Sequence, residues 1–323
     1  MGSPATRITS ENFLTPAEFQ GLKLAEKSSG QIGGARFTLI ESDGATRIGP
    51  CYQQVPIRVA PPFRFPGEPA ILVYLINPTA GLMDGDGHLI EIDAGPGTNA
   101  VVTGQSATRI HPSLSSFSTQ RWNVKLGPQA RLVALPGPNM PFRGCRYYQT
   151  ARFDLADDSH LIWGDVWTPG RYARDELSEI FHFERIVQEL EVRRNGQLVF
   201  RDRFDWKGPW DEETARWYVG SHRTGSMASL FVTGTVDIQP SEPGAPIHRS
   251  VLRLAHGDTL IRWCGPTPEV ITEVATTALT LPARPNFGGL VGERPWLVGA
   301  NHLVPNHWFS PSQPLSDSPT ARV

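Results

Sequence analysis

The sequence predicts a single, mainly β domain, and two observations support this fold class. Short runs of β-branched and aromatic residues recur from Ala35 onward, and each is bounded by Gly, Pro, Asn or Asp, which is typical of strands joined by tight turns. The 31 Gly and 29 Pro are spread along the 323 residues, as frequent turns require. Neither a repeat of fixed period nor a linker interrupts the pattern, so one domain is the simplest interpretation.

The predicted strands follow one another closely along the chain. In order, they are ARFTLIE, TRIGPCYQQVPIRV, AILVYLI, HLIEIDA, NAVVTG, RWNVKL, ARLVALP, ARFDLA and HLIWGDVW. A later strand over residues 186–192 alternates, with Leu190 and Val192 on one face and two glutamates on the other. Asn195-Gly196 follows it and predicts a type I′ hairpin, because both central positions of that turn need positive φ.

Helical signals are few. Asp211 can cap a short helix over residues 212–216. A longer helix is predicted to run from the first turn around Pro268 toward Leu281, because Pro suits the first helical position and apolar residues recur every four positions from Val270. We expect this helix to rest on the sheet layer.

The two ends of the chain differ from the β region. Residues 1–30 are polar and predict a flexible N-terminal arm, with at most a weakly held helix over 16–26. The β domain is predicted over 31–300. Residues 301–323 are rich in Ser and Pro and predict a disordered tail; the alternative is a partner-docking segment anchored by Trp308.

Composition limits the possible functions. The formal net charge is −2 and charged residues make up 19% of the chain, so no bulk charge favours nucleic acid or an anionic membrane as a partner. No apolar run is long enough to cross a bilayer, and the first residues lack the apolar region of a secretion signal. We therefore expect a cytoplasmic protein without membrane or nucleic-acid partners.

A search for catalytic motifs finds little, so we expect a protein that is not an enzyme. The common hydrolase, nucleotide-binding and metalloprotease motifs are missing from the sequence. The nine His residues form no pair at helical or strand spacing, and the three Cys residues form no C-x-x-C pair. Neither a permanent metal site nor a disulfide framework is therefore predicted.

Two acidic clusters remain as candidate sites. Asp84 and Asp86 lie in a Gly-rich segment that is either a structural turn or a functional loop. Asp165 lies between two Trp residues on a strand that we expect to be buried, and a buried carboxylate needs a partner. Arg171, just past the following turn, is the natural partner, and a structural ion pair explains this cluster as well as a functional role does.

Five segments, in order, resemble the UreD (UreH) family of urease accessory proteins over roughly residues 33–299. They are NPTAGLMDGD from Asn77, VTGQSATRI from Val102, LPGPNMPF from Leu135, GRYARDE from Gly170 and GQLVFRDR from Gly196. Any one of them is weak evidence, but five in the same order are strong evidence.

This resemblance implies a fold and a function. It implies a helix-like stack of β-strands in layered sheets with one or two short α-helices. It also implies a scaffold that binds the accessory proteins UreF and UreG and apo-urease, is oligomeric through UreF, and assists nickel delivery during urease maturation. The only implied metal is nickel in transit, and oxygen ligands suit transit because they hold such an ion weakly enough to release it.

By position, the resemblance assigns roles to single residues. Asp86, Asp165 and Glu176 are implied to line a transient nickel passage, with Arg171 as an orienting partner. Asp84 and His111 are weaker candidates.

The sequence also departs from the family at several turns. Ala80 and Asp175 replace glycines of the family pattern, Gly104 replaces a Thr, and Gly87-His88 replaces an Arg. If Ala80 or Asp175 requires positive φ, its backbone is strained. Two alternatives stay open: a divergent interaction protein without nickel function, and a small-molecule hydrolase or isomerase that uses Asp165 and Glu176 as an acid–base pair in a β-sheet cleft.

Overall fold

The computed structural model of the protein describes residues 6–24, 31–64, 69–171, 179–220 and 224–281. The strands in these ranges are β1 (Ile32–Ser42), β2 (Ala45–Gln54), β3 (Arg58–Val59), β4 (Phe63–Arg64), β5 (Ile71–Ile76), β6 (Gly87–Ala94), β7 (Asn99–Gly104), β8 (Thr108–Ile110), β9 (Ser118–Leu126), β10 (Arg131–Leu135), β11 (Asn139–Pro141), β12 (Arg146–Leu155), β13 (His160–Trp167), β14 (Arg185–Arg194), β15 (Gln197–Lys207), β16 (Gly225–Val232), β17 (His248–Arg253) and β18 (Thr259–Pro266). The α-helices are α1 (Glu212–Val219) and α2 (Thr267–Thr280). The predicted mainly β fold with short helices is confirmed.

The central part of the chain winds as a coil, because successive strands alternate between two sheets. In one sheet, β1, β6, β9, β12 and β14 lie side by side in parallel. In the other sheet, β5, β7, β10 and β13 do the same. Each turn of the coil therefore adds one strand to each sheet, which gives the layered, helix-like stack that the family resemblance implied.

A narrow third side connects the two sheets. There β8 pairs in parallel with β11, and a bridge joins Leu82 to Ile110. Gly81 precedes this bridge with a φ of 134°, and a Cβ at that position would lie 2.3 Å from the carbonyl oxygen of Arg109. Gly81 thus supplies the close backbone approach, whereas Ala80 is not among the described residues with positive φ. The replacement of the family glycine by Ala80 therefore introduces no backbone strain of this kind.

Antiparallel strands close both parallel stacks. In the first sheet, β2 pairs with β1 and β15 pairs with β14. In the second sheet, β3 and β4 pair with β5, while β16, β18 and β17 extend the sheet beyond β13. The predicted hairpin at Asn195-Gly196 joins β14 to β15, and both residues have positive φ, 49° and 79°.

The core lies between the two sheets, and α2 covers the outer face of the second. Val270, Val274 and Ala278 of α2 are buried there, as the four-residue spacing predicted. Val274 lies over Gly164 of β13, and a Cβ added at Gly164 would be 3.7 Å from Val274 Cγ1. The shorter helix α1 begins as predicted at Asp211, whose Oδ1 accepts a hydrogen bond from the backbone N–H of Thr214 at 2.8 Å.

Residues 6–24 correct one expectation. The sequence predicted a flexible arm over 1–30, but Ile8, Phe13 and Phe19 are buried against the outer face of the first sheet. The apolar residues are too irregularly spaced to form a helix, yet each fills a position on the apolar surface beneath it.

Other predicted features of the termini stay open or differ. Only a 3₁₀ turn, Ala17–Phe19, is present in the described part of the predicted weak helix over 16–26. The predicted tail over 301–323 lies outside the described residues. Among the helices that the structure describes, none combines the length and apolarity needed to cross a bilayer.

The contact between α2 and the second sheet gives a test of the fold. We expect Val274→Ala to lower the free energy of unfolding by about 2 kcal/mol, because it removes buried methyl groups and leaves a cavity above Gly164. Urea denaturation followed by circular dichroism measures this change. Thr276→Ala, on the exposed face of the same helix, should change the value by less than about 0.5 kcal/mol, and equal effects of both substitutions would contradict this packing.

Candidate functional site

Four polar side chains form a column inside the coil. His88, Gln120, Gln149 and Gln188 are direct partners in the register of β6, β9, β12 and β14, and all four are buried. We call these four residues the polar ladder. Because neighbouring strands lie about 4.8 Å apart, the ladder extends roughly 14 Å across the stack.

The buried carboxylate of Asp165 faces the ladder from the opposite sheet. Its Oδ1 accepts a hydrogen bond from Gln149 Nε2 at 2.8 Å. Its Oδ2 accepts two, from Gln188 Nε2 at 2.8 Å and from Trp163 Nε1 at 2.6 Å. Asp165 on β13 therefore joins the two sheets through the interior of the coil, and each of these three donors is neutral.

Neighbouring groups determine how the two glutamine amides are oriented. Trp167 Nε1 donates to Gln188 Oε1 at 2.9 Å, and Asn139 Nδ2 donates to Gln149 Oε1 at 3.1 Å. With its oxygen accepting, each glutamine presents its NH₂ group to Asp165. The network is thus arranged to stabilise a negative charge at Asp165.

Burial opposes that charge. The loss of hydration raises the pKa of Asp165 to about 6, although the hydrogen bonds from Gln149, Trp163 and Gln188 lower it in part. None of the Lys, Arg or His side chains in the described part of the chain forms an ion pair with Asp165. The charge of Asp165 is therefore balanced by dipoles and not by an opposite charge among the described residues.

The predicted partner of Asp165 is wrong. Arg171 pairs instead with Glu179 through two hydrogen bonds, and its guanidinium lies 4.2 Å from the centre of the Phe142 ring. Glu179 is only 4% exposed, so it needs the charge of Arg171. Proximity in the sequence suggested that Arg171 pairs with Asp165. The Asp165 side chain instead points into the coil, where it accepts hydrogen bonds from neutral donors.

The acidic residues of the Gly-rich segment are bound to the backbone. Asp86 accepts hydrogen bonds from the N–H groups of Gln31 and Met83, at 2.5 and 2.8 Å, and burial raises its pKa. Asp84 accepts from the N–H groups of Ser115 and Ser116. These contacts describe a structural turn, and a nickel role for either residue stays a prediction.

The remaining candidates are not brought to Asp165. His111 lies against Phe142, and its Nε2 is 3.1 Å from the carbonyl oxygen of Ala80. Glu176 and the family departure at Asp175 lie outside the described residues, so the acid–base pair of the enzyme hypothesis also stays a prediction. Within the ranges that the structure covers, His, Cys, Asp and Glu side chains do not gather in threes that could hold a metal.

Small cavities lie toward both ends of the ladder. One of about 60 Å³ is lined by His88 and Gln120 and reaches the loop residues Asn77 and Gln105. The imidazole is neutral, because burial lowers the pKa of His88 to about 4. The other cavity, of about 10 Å³, lies between Asp165, Gln188 and neighbouring strands and has room for about one water molecule.

Sequence reasoning missed the ladder, although one signal was present. Gln188 has the same parity as Leu190 and Val192, so a polar residue occupies the apolar face of its strand. The same is true of Gln149, which shares the inward face of β12 with Phe153. A polar side chain at an inward position needs a partner inside the core, and this requirement could have identified both glutamines.

Comparison with known proteins relates residues 31–297 to one family, whose model is described as UreD urease accessory protein. Urease accessory protein UreD 2 of Synechococcus sp. (strain JA-3-3Ab) is 30% identical over 223 residues, which cover 64% of this chain and 80% of that protein. Urease accessory protein UreD of Sporosarcina pasteurii is 32% identical over 162 residues, or 49% of this chain and 61% of that protein. Urease accessory protein UreD of Deinococcus radiodurans is 38% identical over 161 residues, which cover 50% of this chain and 56% of that protein.

The buried carboxylate of Asp165 makes the free energy of unfolding depend on pH, and this dependence tests the site. Between pH 3.8 and about 6 the folded chain keeps a proton on Asp165 that the unfolded chain has lost. Stability from this group is therefore full below pH 3.8 and is lost as the pH rises to about 6. We expect Asp165→Asn to become more stable relative to the wild type over this window, by up to about 3 kcal/mol.

Urea denaturation of both proteins at several pH values between 4 and 7 measures this difference. The asparagine can be accommodated, because Gln149 and Asn139 can both turn their amides while Gln188 keeps its orientation. Asp93→Asn, at an exposed position of β6, is the control and should show no such trend. A difference for Asp165→Asn that does not vary with pH would contradict the site.

Proposed function

This chain belongs to the UreD family of urease accessory proteins and has a role in urease maturation, and from that premise we propose that it is a non-catalytic cytoplasmic scaffold through which nickel passes to apo-urease. The observation that carries the proposal is the buried carboxylate of Asp165, which faces the polar ladder and whose partners among the described residues are neutral donors. Nickel is the cargo of such a scaffold and not a resident cofactor.

The chemistry of the interior suits a transient divalent ion. Carboxylate and amide oxygens are hard ligands that bind a divalent ion loosely, whereas a cage of thiolates would retain it. Asp165 supplies the negative charge, and the amide of Gln149 can turn its oxygen toward a cation if Asn139 turns its own amide with it. At Asp165 the charge of the ion would then replace the hydrogen bond that the NH₂ group of Gln149 donates.

The small size of the cavities has a consequence for this route. A space of about 10 Å³ beside Asp165 does not admit a hydrated divalent ion, which keeps several waters around it. We therefore propose that passage requires the ladder side chains to change rotamer, and that the bound accessory partners favour the open arrangement. In the family, UreF and UreG are these partners, UreG hydrolyses GTP, and oligomerisation occurs through UreF.

A complementation assay tests the proposal. The chain is expressed with its own UreF and UreG partners and a urease operon that lacks UreD, and urease activity and bound nickel are measured. We expect Asp165→Asn to lower nickel loading by about tenfold or more, because the interior loses its negative charge. Glu176→Ala is expected to act in the same direction, as the family resemblance implies.

Three controls make the result interpretable. Co-purification of UreF and UreG with each variant shows that assembly is intact, circular dichroism shows that the variant is folded, and Asp93→Asn controls for loss of an exposed carboxylate. Normal nickel loading by Asp165→Asn would contradict the route through Asp165. Failure of the wild-type chain to support loading with its own partners would contradict the scaffold function itself.

A further inference from the structure

Three soft or borderline donor side chains form a row across the antiparallel end of the second sheet. In the register of β16, β18 and β17, Met227 is the direct partner of Cys264, and Cys264 is the direct partner of His248. Directly opposed residues point to the same face of a sheet, with Cβ atoms about 4.5–5.5 Å apart. Cys264 therefore lies between a thioether on one side and an imidazole on the other.

The row leads from the aromatic interior to solvent. Met227 directly opposes Trp167 of β13 and packs against the aromatic cluster that contains this residue. Cys264 is half-buried, and His248 on the edge strand β17 is exposed. One end of the row thus packs against aromatic rings, where Met227 is half-buried, and the other end is open to an incoming ion.

The surroundings leave these donors available. No hydrogen bond or ion pair of the Met227, Cys264 or His248 side chain is found within the described ranges, and burial is the single cause that raises the pKa of the Cys264 thiol. Arg262, two residues before Cys264 on the same face, is paired with Asp202 at 2.6 Å. Its charge is therefore partly neutralised and opposes a cation in the row less than a free guanidinium would.

The end of α1 lies beside the imidazole. A Cβ at Gly220, directly after α1, would lie 3.7 Å from His248 Cδ2 and 4.0 Å from His248 Nε2. The glycine thus allows the helix end to approach the ring closely, which limits the directions that the imidazole can take.

We propose that Met227, Cys264 and His248 form a binding site for a soft monovalent cation, Cu(I). A thioether, a thiolate and an imidazole are the donors that favour Cu(I), whereas the oxygen donors around Asp165 favour harder ions. On binding, the Cys264 thiol releases its proton to solvent, and the new Cu–S bond takes its place, with no change in oxidation state. The site depends on the sheet register and not on the proposed nickel route.

A competition titration tests this site on the full chain. Cu(I) is added without oxygen in the presence of a chromophoric Cu(I) chelator, and the protein's share of the metal is read from the chelator absorbance. We expect one equivalent of Cu(I) per chain. Met227→Leu and His248→Gln should each weaken binding by about tenfold or more, because each removes one donor, and Cys264→Ser should abolish it.

A loss of Cu(I) binding in these variants can be assigned to the missing donor, because none of the substitutions should unfold the chain. Met227→Leu conserves volume, His248 is exposed, and circular dichroism verifies each variant. Cys51→Ser removes the exposed free thiol and should leave binding unchanged. The proposal is overturned if binding follows Cys51, if it is unchanged in both Met227→Leu and His248→Gln, or if the wild-type chain retains Ni(II) at this row and not Cu(I).

Discussion

Parallel pairing in register places each inward residue of the coil directly beside its counterpart in the next layer. A residue type that recurs at one inward position therefore becomes a column, and the columns of Leu, Val, Ile and Phe form the core between the sheets. The polar ladder is the same effect with polar side chains. Buried polar groups require partners within the coil, and Gln149 and Gln188 find them in Asp165, Asn139 and Trp167. His88 Nε2 and Gln120 Oε1 have no hydrogen-bond partner among the described residues.

For Gln149 and Gln188, the partner within the coil is a charged group, the carboxylate of Asp165. An arginine partner would have balanced the carboxylate completely, and the pair would have been inert. Two glutamines and an indole balance it only in part, so the carboxylate remains attractive to a further cation while the coil stays closed. The same burial that raises the pKa of Asp165 also strengthens its attraction for an ion that reaches it.

Local signals in the sequence predicted local structure well. The Asn195-Gly196 hairpin, the cap at Asp211 and the start of α2 depend on residues close together in the chain, and all three are present. The five ordered segments identified the family, which the match over 31–297 confirms.

Long-range contacts could not be predicted from local signals. The register of parallel strands joins residues about 30 positions apart, such as Gln120 and Gln149, and local propensity carries no information on such pairs. The predicted partner of Asp165 was wrong for this reason: Arg171 is near in sequence, but two of the three true donors, Gln149 and Gln188, come from other strands. Their polar character at inward positions was visible, but which of them would meet was not.

The antiparallel strands that close the two stacks also fix the number of layers. A bare parallel edge would offer unpaired backbone groups to another strand, whereas β2, β15 and the strands beyond β13 occupy those edges within the chain itself. The span of the interior is therefore set by strand count and strand spacing, and not by the side chains within it. Substitutions along the ladder can therefore change the chemistry of the interior without changing its length, so these two properties can diverge independently among related proteins.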